Sequence, residues 1–280
     1  ASNIGGTATL IGDPPNIMIG SAAGLDFLDF VENTGLVVVV IMIVLCVVMR
    51  FVYKKKLVAN KDAIAKVMAL NENDEITNKP LLIKSMVMML LVVLGFIFHS
   101  QLGIESSTVA LTAAAVMMVI GHQKIETVIS EVEWPTILFF VGLFVVVGGL
   151  SETGVIKQMA DFIVNTTSGH PVITMLVILW ASAILSSFLD NIPFVATMIP
   201  LVLVMGTQGI DTTPLWWAIS LGACLGGNGT LIGASANVVL SGISTRQGYP
   251  ITFKEYTKVG FPIMILTVFI SMIYLLVKFA

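Results

Sequence analysis

Long apolar runs constrain this sequence more than any other feature, because several approach the roughly 20 residues that a helix needs to cross a bilayer. They extend over residues 35–52, 81–98, 108–120, 134–150, 172–189, 192–205, 215–225 and 261–279. Charged residues make up only 11% of the chain, against roughly 25% in soluble domains, so they cannot cover a soluble surface. The 14 lysines and arginines form no basic face. We therefore predict an all-α integral membrane protein that binds no nucleic acid.

The positive charges predict how the chain is oriented in the membrane. They cluster in the loop after the first full span, at Lys54, Lys55, Lys56, Lys61, Lys66, Lys79 and Lys84. Because cytoplasmic loops carry an excess of lysine and arginine, loop 54–80 is predicted to be cytoplasmic in a multi-pass plasma-membrane protein. If residues 171–206 form a re-entrant hairpin, Arg246, Lys254 and Lys258 also reach the cytoplasm. A full crossing there would place them outside, so the charges favour re-entry.

An internal repeat relates residues 5–16 to residues 226–237. Both segments carry a pair of glycines, the sequence Thr-Leu-Ile-Gly and a terminal asparagine at the same spacing. In the predicted orientation the first copy runs from inside to outside and the second from outside to inside. The repeat is therefore predicted to be inverted.

Each copy of the repeat interrupts an apolar segment with residues that break helices. These residues are Gly5, Gly6, Gly12, Pro14 and Pro15 in the first copy and Gly226, Gly227, Gly229 and Gly233 in the second. Non-helical backbone is tolerated at membrane depth only beside protein or a water-filled cavity. Two broken helices in corresponding halves are typical of a transporter with a binding site near the bilayer midplane. Close helix packing alone would explain the glycines but not the repeated polar residues.

Two acidic residues are predicted to lie at bilayer depth. Asp13 precedes Pro14, and Asp190 lies with Asn191 between two apolar runs of about half a span. A carboxylate inside a membrane indicates function because it is costly to bury. The alternatives are that Asp190 only caps a helix and that Asp13 is only a turn residue. The two cysteines, Cys46 and Cys224, are far apart and are predicted to be buried thiols in apolar surroundings.

At these residues the sequence resembles the ion transporter superfamily, in particular its ArsB/NhaD branch. That branch includes arsenite permeases, NhaD-type sodium/proton antiporters, the P protein and citrate transporter-like domains. Residues 2–16 resemble the signature of its first broken helix, residues 188–191 its second hairpin and residues 226–237 its second broken helix. The resemblance implies an inverted-repeat transporter with a re-entrant hairpin and Gly/Pro-broken helices, elevator-like alternating access and a homodimer.

The resemblance also implies how the chain is divided. Residues 1–53 correspond to the end of the first repeat, 54–80 to a linker and 81–280 to the second repeat. Within the latter we expect the hairpin at about 171–206, the broken helix at about 215–246 and the last span at about 260–279. The chain is expected to come from a longer transporter, with the N-terminal part of that transporter as its partner, and a split or truncated gene product is the alternative.

The residue before Pro-Pro-Asn bears on the substrate. Dicarboxylate symporters of the superfamily have a small hydroxyl residue where this sequence has Asp13, whose charge would repel a dianion. We therefore expect a proton-linked transporter of a small inorganic ion, through sodium/proton exchange or arsenite efflux. Asp13 and Asp190 would carry the proton, and sodium at Thr7, Asp13 and Asn16 is the only cofactor expected. The other implied ligands are Asn3, Thr9, Asn191, Asn228, Thr230 and Asn237.

Three other functions were weighed against this one. A sodium-coupled symporter of anions such as citrate is the runner-up. The second copy of the repeat, with Ala234-Ser235-Ala236, lacks a carboxylate. A channel fits opposed broken helices less well than alternating access does. An intramembrane aspartyl protease would need Gly-x-Gly-Asp, but this sequence reads Leu10-Ile11-Gly12-Asp13. We therefore expect no enzymatic activity.

Overall fold

A computed structural model describes residues 1–54, 64–65, 68–69, 76, 78–122, 124–167 and 169–280. Within these ranges the chain is helical and has no strand, which confirms the predicted all-α class. Five helices of the described chain are long and apolar enough to cross a membrane: Phe27–Tyr53, Lys79–Leu102, Trp134–Glu152, Pro171–Phe188 and Phe253–Phe279. Most of the predicted cytoplasmic loop 54–80 lies outside the described residues.

Outside residues 54–78, the helices follow one another with short connections. In the first part of the chain they are α1 (Ser2–Gly6), α2 (Pro14–Ala23), α3 (Phe27–Phe30), a π-turn (Val31–Gly35), α4 (Leu36–Tyr53), α5 (Lys79–Leu102), α6 (Ser106–Ile120) and α7 (Ile125–Ser130). The remaining helices are α8 (Trp134–Glu152), α9 (Val155–Thr166), α10 (Pro171–Phe188), α11 (Asn191–Thr207), α12 (Thr213–Gly226), α13 (Ser235–Arg246) and α14 (Phe253–Phe279). Both apolar segments with the repeat are broken, between α1 and α2 and between α12 and α13.

The described chain divides into two compact units, residues 46–135 and residues 1–45 with 136–280. In the smaller unit α5 packs against α6, where Gly95 leaves room for the Val109 side chain. This division follows packing and does not test the repeat boundaries, which stay a prediction.

Helix α12 forms the centre of the larger unit, since every residue from Leu215 to Gly226 is buried. It packs along α10 at very short range. A Cβ at Gly222 would lie 2.6 Å from the Leu179 carbonyl oxygen, and one at Gly226 would lie 2.6 Å from that of Ala183. The glycines of α12 therefore allow the two backbones to approach closely. Helix α10 ends next to the break between α12 and α13.

The structure differs from the sequence expectations at four helices. The arms of the hairpin, α10 and α11, contain 18 and 17 residues, which at 1.5 Å per residue is about 27 and 26 Å rather than half a span. Helix α14 begins at Phe253, before the expected 260, because Thr252 and Glu255 form a capping box. Helix α9 was not predicted, because its polar face interrupts the apolar run.

Candidate functional site

The loop that interrupts the first broken segment (Ser2–Ala23) is held by one buried asparagine. The Asn16 amide nitrogen lies 3.0 Å from the Thr9 carbonyl oxygen and 3.4 Å from those of Gly6 and Thr7. These carbonyls face inward because the helix stops at Gly6 and resumes at Pro14. Asn16 thus replaces the helical hydrogen bonds that the break removes.

The loop of the second broken segment (Thr213–Arg246) is held in the same way. The Asn237 amide donates to the carbonyl oxygens of Gly227, at 2.8 Å, and Thr230, at 3.1 Å. The glycines of each loop also meet, since a Cβ on Gly227 would lie 2.8 Å from the Gly233 carbonyl oxygen and one on Gly12 would overlap that of Gly6. The repeated glycines and asparagine therefore build one loop shape twice.

The two loops contact each other through equivalent residues. Asn3 precedes the first glycine pair as Cys224 precedes the second. The Asn3 amide lies 3.4 Å from Asn237 Oδ1, and the Cys224 thiol lies 3.5 Å from Asn16 Oδ1. The contacts are reciprocal, because in each case the residue two positions before one glycine pair contacts the asparagine that ends the other copy of the repeat.

A cavity of about 130 Å³ lies where three helices begin. The N-termini of α2, α11 and α13 all border it. Its walls are formed by Ser2, Asn3, Gly12, Asp13, Pro14, Asn191, Ile192, Ala234, Ser235 and Ala236. Helix N-termini carry partial positive charge, whereas the only charged side chain among these wall residues is the Asp13 carboxylate.

Asp13 is buried, with 9% of its surface exposed, and its carboxylate does not cap α2. Instead the Asn191 amide nitrogen lies 3.3 and 3.2 Å from the two Asp13 oxygens. This contact joins the first broken segment to the tip of the hairpin. A buried carboxylate with an amide as its hydrogen-bond partner is suited to binding a proton or a small cation.

The second predicted acid has a different environment. Asp190 is half-buried and caps α11, where its Oδ1 accepts a hydrogen bond from the Ile192 backbone N–H at 3.5 Å. It does not line the cavity. The structure therefore brings Asp13 and Asn191 together but leaves Asp190 outside the cavity, at the beginning of α11.

Of the other predicted ligands, one lines the cavity and the rest make hydrogen bonds that hold the loops. Asn3 lines the cavity and also donates to Asn228 at 3.2 Å. The hydroxyls of Thr7 and Thr230 donate to the carbonyl oxygens of Asn3 and Ser187, and Thr9 contributes its carbonyl to the Asn16 contact. Asn16 and Asn237 hold the loops and do not line the cavity. Of the three residues expected to bind sodium, only Asp13 lines the cavity, and that site stays a prediction.

Sequence reasoning missed two buried residues at this site. The Ser220 hydroxyl donates to Asn16 Oδ1 at 2.7 Å, and the Cys224 thiol lies beside it. Extending the repeat alignment two residues before the glycine pair would have matched Cys224 with Asn3. The predicted burial of Cys224 is confirmed, and its thiol lies beside the Asn16 amide oxygen, whereas the predicted burial of Cys46 is wrong, because Cys46 is exposed on α4.

Known proteins resemble the chain over nearly all of its length. The model of the citrate transporter family matches residues 1–222. An uncharacterized transporter of Mycobacterium tuberculosis is 44% identical over 283 residues, covering 100% of this chain and 66% of that protein. A membrane protein of Mycobacterium leprae is 40% identical over 282 residues, with the same coverage. The P protein of Mus musculus is 30% identical over 356 residues, covering 99% of this chain and 43% of the P protein. The chain thus spans just under two thirds of the mycobacterial relatives.

Proposed function

The chain belongs to the citrate transporter family, and we propose that it works as a proton-linked secondary transporter of a small inorganic ion. In this proposal Asp13 carries the proton or binds the cation, and Asn191 holds its carboxylate at the hairpin tip. Sodium/proton exchange and arsenite or antimonite efflux are the two forms considered. Alternating access of the elevator type, a homodimer and a plasma-membrane location belong to the same proposal.

The observation that carries the proposal is the Asp13 carboxylate in the wall of a small cavity. At about 30 Å³ per water molecule, 130 Å³ holds roughly four waters. A small ion with part of its hydration shell fits this space. None of the wall residues is a lysine or arginine, so a polyanion would meet the Asp13 charge with no cationic side chain of the wall to offset it.

Asp190 remains a second candidate for carrying a proton. Its half-buried carboxylate lies at the beginning of α11, next to the residue that contacts Asp13. A change in the charge of either acid would be felt by the other, because Asp190 directly precedes Asn191, whose amide contacts the Asp13 carboxylate. We propose that Asp13 is the principal group and that Asp190 modulates it.

Symport of an anion such as citrate is the second candidate function. It is supported by the description of the family as a citrate transporter and by the three helix N-termini at the cavity, which favour negative charge. It would require a cation or proton to neutralise Asp13 before the anion enters. The two candidates therefore differ in what must bind first.

Proteoliposomes that enclose a pH-sensitive dye test the proposal with the full-length transporter. Sodium added outside should make the interior alkaline, and Asp13→Asn should abolish the response. Asp161→Asn is the matched control, because Asp161 accepts a hydrogen bond from Gln208 outside the cavity and its variant should keep the response. Proton movement driven by arsenite would select efflux, and movement driven only by citrate would select the symporter. A sodium response that survives in Asp13→Asn would contradict the role given to Asp13.

A further inference from the structure

A π-turn interrupts the long helix that follows the first broken segment. Residues Val31–Gly35 form it between α3 and α4. A single π-turn within an α-helix is rare and often occurs at functional sites. Here it widens the helix where Thr34 faces the loop of the first broken segment.

Thr34 joins this turn to the loop. Its side chain is fully buried, and its hydroxyl oxygen lies 2.9 Å from the Thr7 carbonyl oxygen and 2.7 Å from that of Phe30. A hydroxyl donates one hydrogen at a time, so Thr34 shares it between its own helix and the loop. The Thr7 carbonyl also accepts from Asn16, at 3.4 Å. Thr34 in the π-turn and Asn16 in α2 therefore both donate to the Thr7 carbonyl oxygen.

The π-turn is in turn held by the last helix. The Tyr274 hydroxyl donates to the Asn33 carbonyl oxygen at 2.7 Å, and the Lys278 ammonium donates to Asn33 Oδ1 at 2.6 Å. Directly before the turn, Phe30 packs edge-on against Trp217 of α12, with ring centroids 5.2 Å apart. The π-turn is thus held by α14 and, through Phe30, by α12. Thr34 is the side chain by which the turn contacts the loop of the first broken segment.

We propose that Thr34 is a positioning residue of the transport site, which sets the loop carrying Asp13 through its hydrogen bond to the Thr7 carbonyl. Thr34 itself does not line the cavity. Losing the hydroxyl leaves the Thr7 carbonyl with Asn16 alone, and the loop opens more often. The link to ion binding rests on the proposed function, whereas the link to loop opening does not.

Alkylation of Cys224 measures loop opening without any transport. Cys224 is fully buried beside Asn16, and exposed Cys46 is removed as Cys46→Ser in the full-length transporter. A membrane-permeant maleimide should label Cys224 roughly fivefold faster in Thr34→Val, which keeps the shape but loses the donor. Thr34→Ala should act in the same direction, and Thr34→Ser should label at the rate of the parent. Thr267→Val is the matched control, because its buried hydroxyl bonds only within its own helix, to the Met264 carbonyl.

A second measurement gives the sodium concentration for half-maximal proton movement. This concentration should be higher in Thr34→Val than in the parent and equal to that of the parent in Thr34→Ser. The maximal rate should change less. Parent-like labelling in both Thr34→Val and Thr34→Ala, or equally fast labelling in Thr267→Val, would overturn the inference. If labelling responds as expected while the parent is silent to sodium, the positioning role stands and the proposed function fails.

Discussion

The two broken segments have nearly the same backbone but carry different chemistry at the cavity. Both loops close on themselves through paired glycines, and both are held by a buried asparagine. At the residue before the second half-helix, however, the first segment has Asp13 and the second has Ala234. Both residues are extended, with φ and ψ of −145° and 134° for Asp13 and −155° and 143° for Ala234. The shared residues therefore build the helix break, and the differing residue supplies the charge.

The two loops also differ in how the following helix supports them. In the first, the Thr34 hydroxyl donates to the Thr7 carbonyl. In the second, Gly260 of α14 lies against the Asn228 carbonyl, and a Cβ there would overlap its oxygen. One loop is anchored by a side-chain hydrogen bond and the other by close backbone packing. The first contact can be broken and remade, whereas the second requires the helix itself to move.

Moving the carboxylate from one segment to the other has the largest expected effect. Asp13→Ala should lower sodium-driven proton movement at least about 100-fold, the lower range for losing a group that transfers protons. Adding Ala234→Asp should restore part of the activity, because both positions line one cavity with the same backbone conformation. The measurement is the initial rate of the dye response in proteoliposomes.

Ala234→Asp alone is the control for this exchange, since two carboxylates in one small cavity repel each other and should slow transport. A double variant as inactive as Asp13→Ala would mean that the two sides are not interchangeable. The contact between Asn191 and Asp13 would then be the feature that matters.

Removing the two loop asparagines should show which loop depends more on its amide. Asn16→Ala should lower the free energy of unfolding by about 3 kcal/mol, since it leaves buried carbonyls and the Ser220 hydroxyl without their partner. Asn237→Ala should cost about 2 kcal/mol, because it frees the Gly227 and Thr230 carbonyls, while the Asn3 amide that it also leaves keeps its hydrogen bond to Asn228. Chemical unfolding in mixed micelles measures both.

Asn165→Ala on the exposed face of α9 is the control for these variants and should stay near the parent. The opposite order, with Asn237→Ala the more destabilising, would contradict the proposed balance of contacts.

The sequence predicted the helix breaks better than the contacts between the segments that they bring together. Glycine, proline and asparagine at repeated spacing are local signals, and the apolar runs predicted most long helices within a few residues. Contacts between distant segments leave no such signal. Nothing local indicates that Asn191 meets Asp13 or that Ser220 reaches Asn16. The π-turn at Thr34 was also missed, because Val31–Gly35 has no composition that distinguishes it from an ordinary helical turn.

Adding a methyl group at Gly260 tests the backbone anchor of the second loop. Gly260→Ala should destabilise the protein by about 1–3 kcal/mol, as expected for overpacking, because its Cβ would overlap the Asn228 carbonyl oxygen and press on the Tyr256 ring. Gly242→Ala is the matched control on α13. No atom lies within 4 Å of a Cβ there, so this variant should be neutral or slightly stabilising. Equal stability of the two variants in mixed micelles would show that the second loop tolerates displacement.

The smallest effect is expected where the helices after the two broken segments begin, because both start with a capping box. In the first, Asp26 accepts from the Asp29 N–H at 2.9 Å, and in the second Thr252 accepts from the Glu255 N–H at 3.3 Å. Asp26→Ala should cost about 1 kcal/mol, and Thr252→Ala should cost less, because its cap is longer, uncharged and exposed. Asp26→Asn and Thr252→Ser keep the acceptor and should unfold like the parent in mixed micelles. A larger loss for Thr252→Ala than for Asp26→Ala would mean that the second helix, despite its close backbone anchor, depends more on its cap than the first.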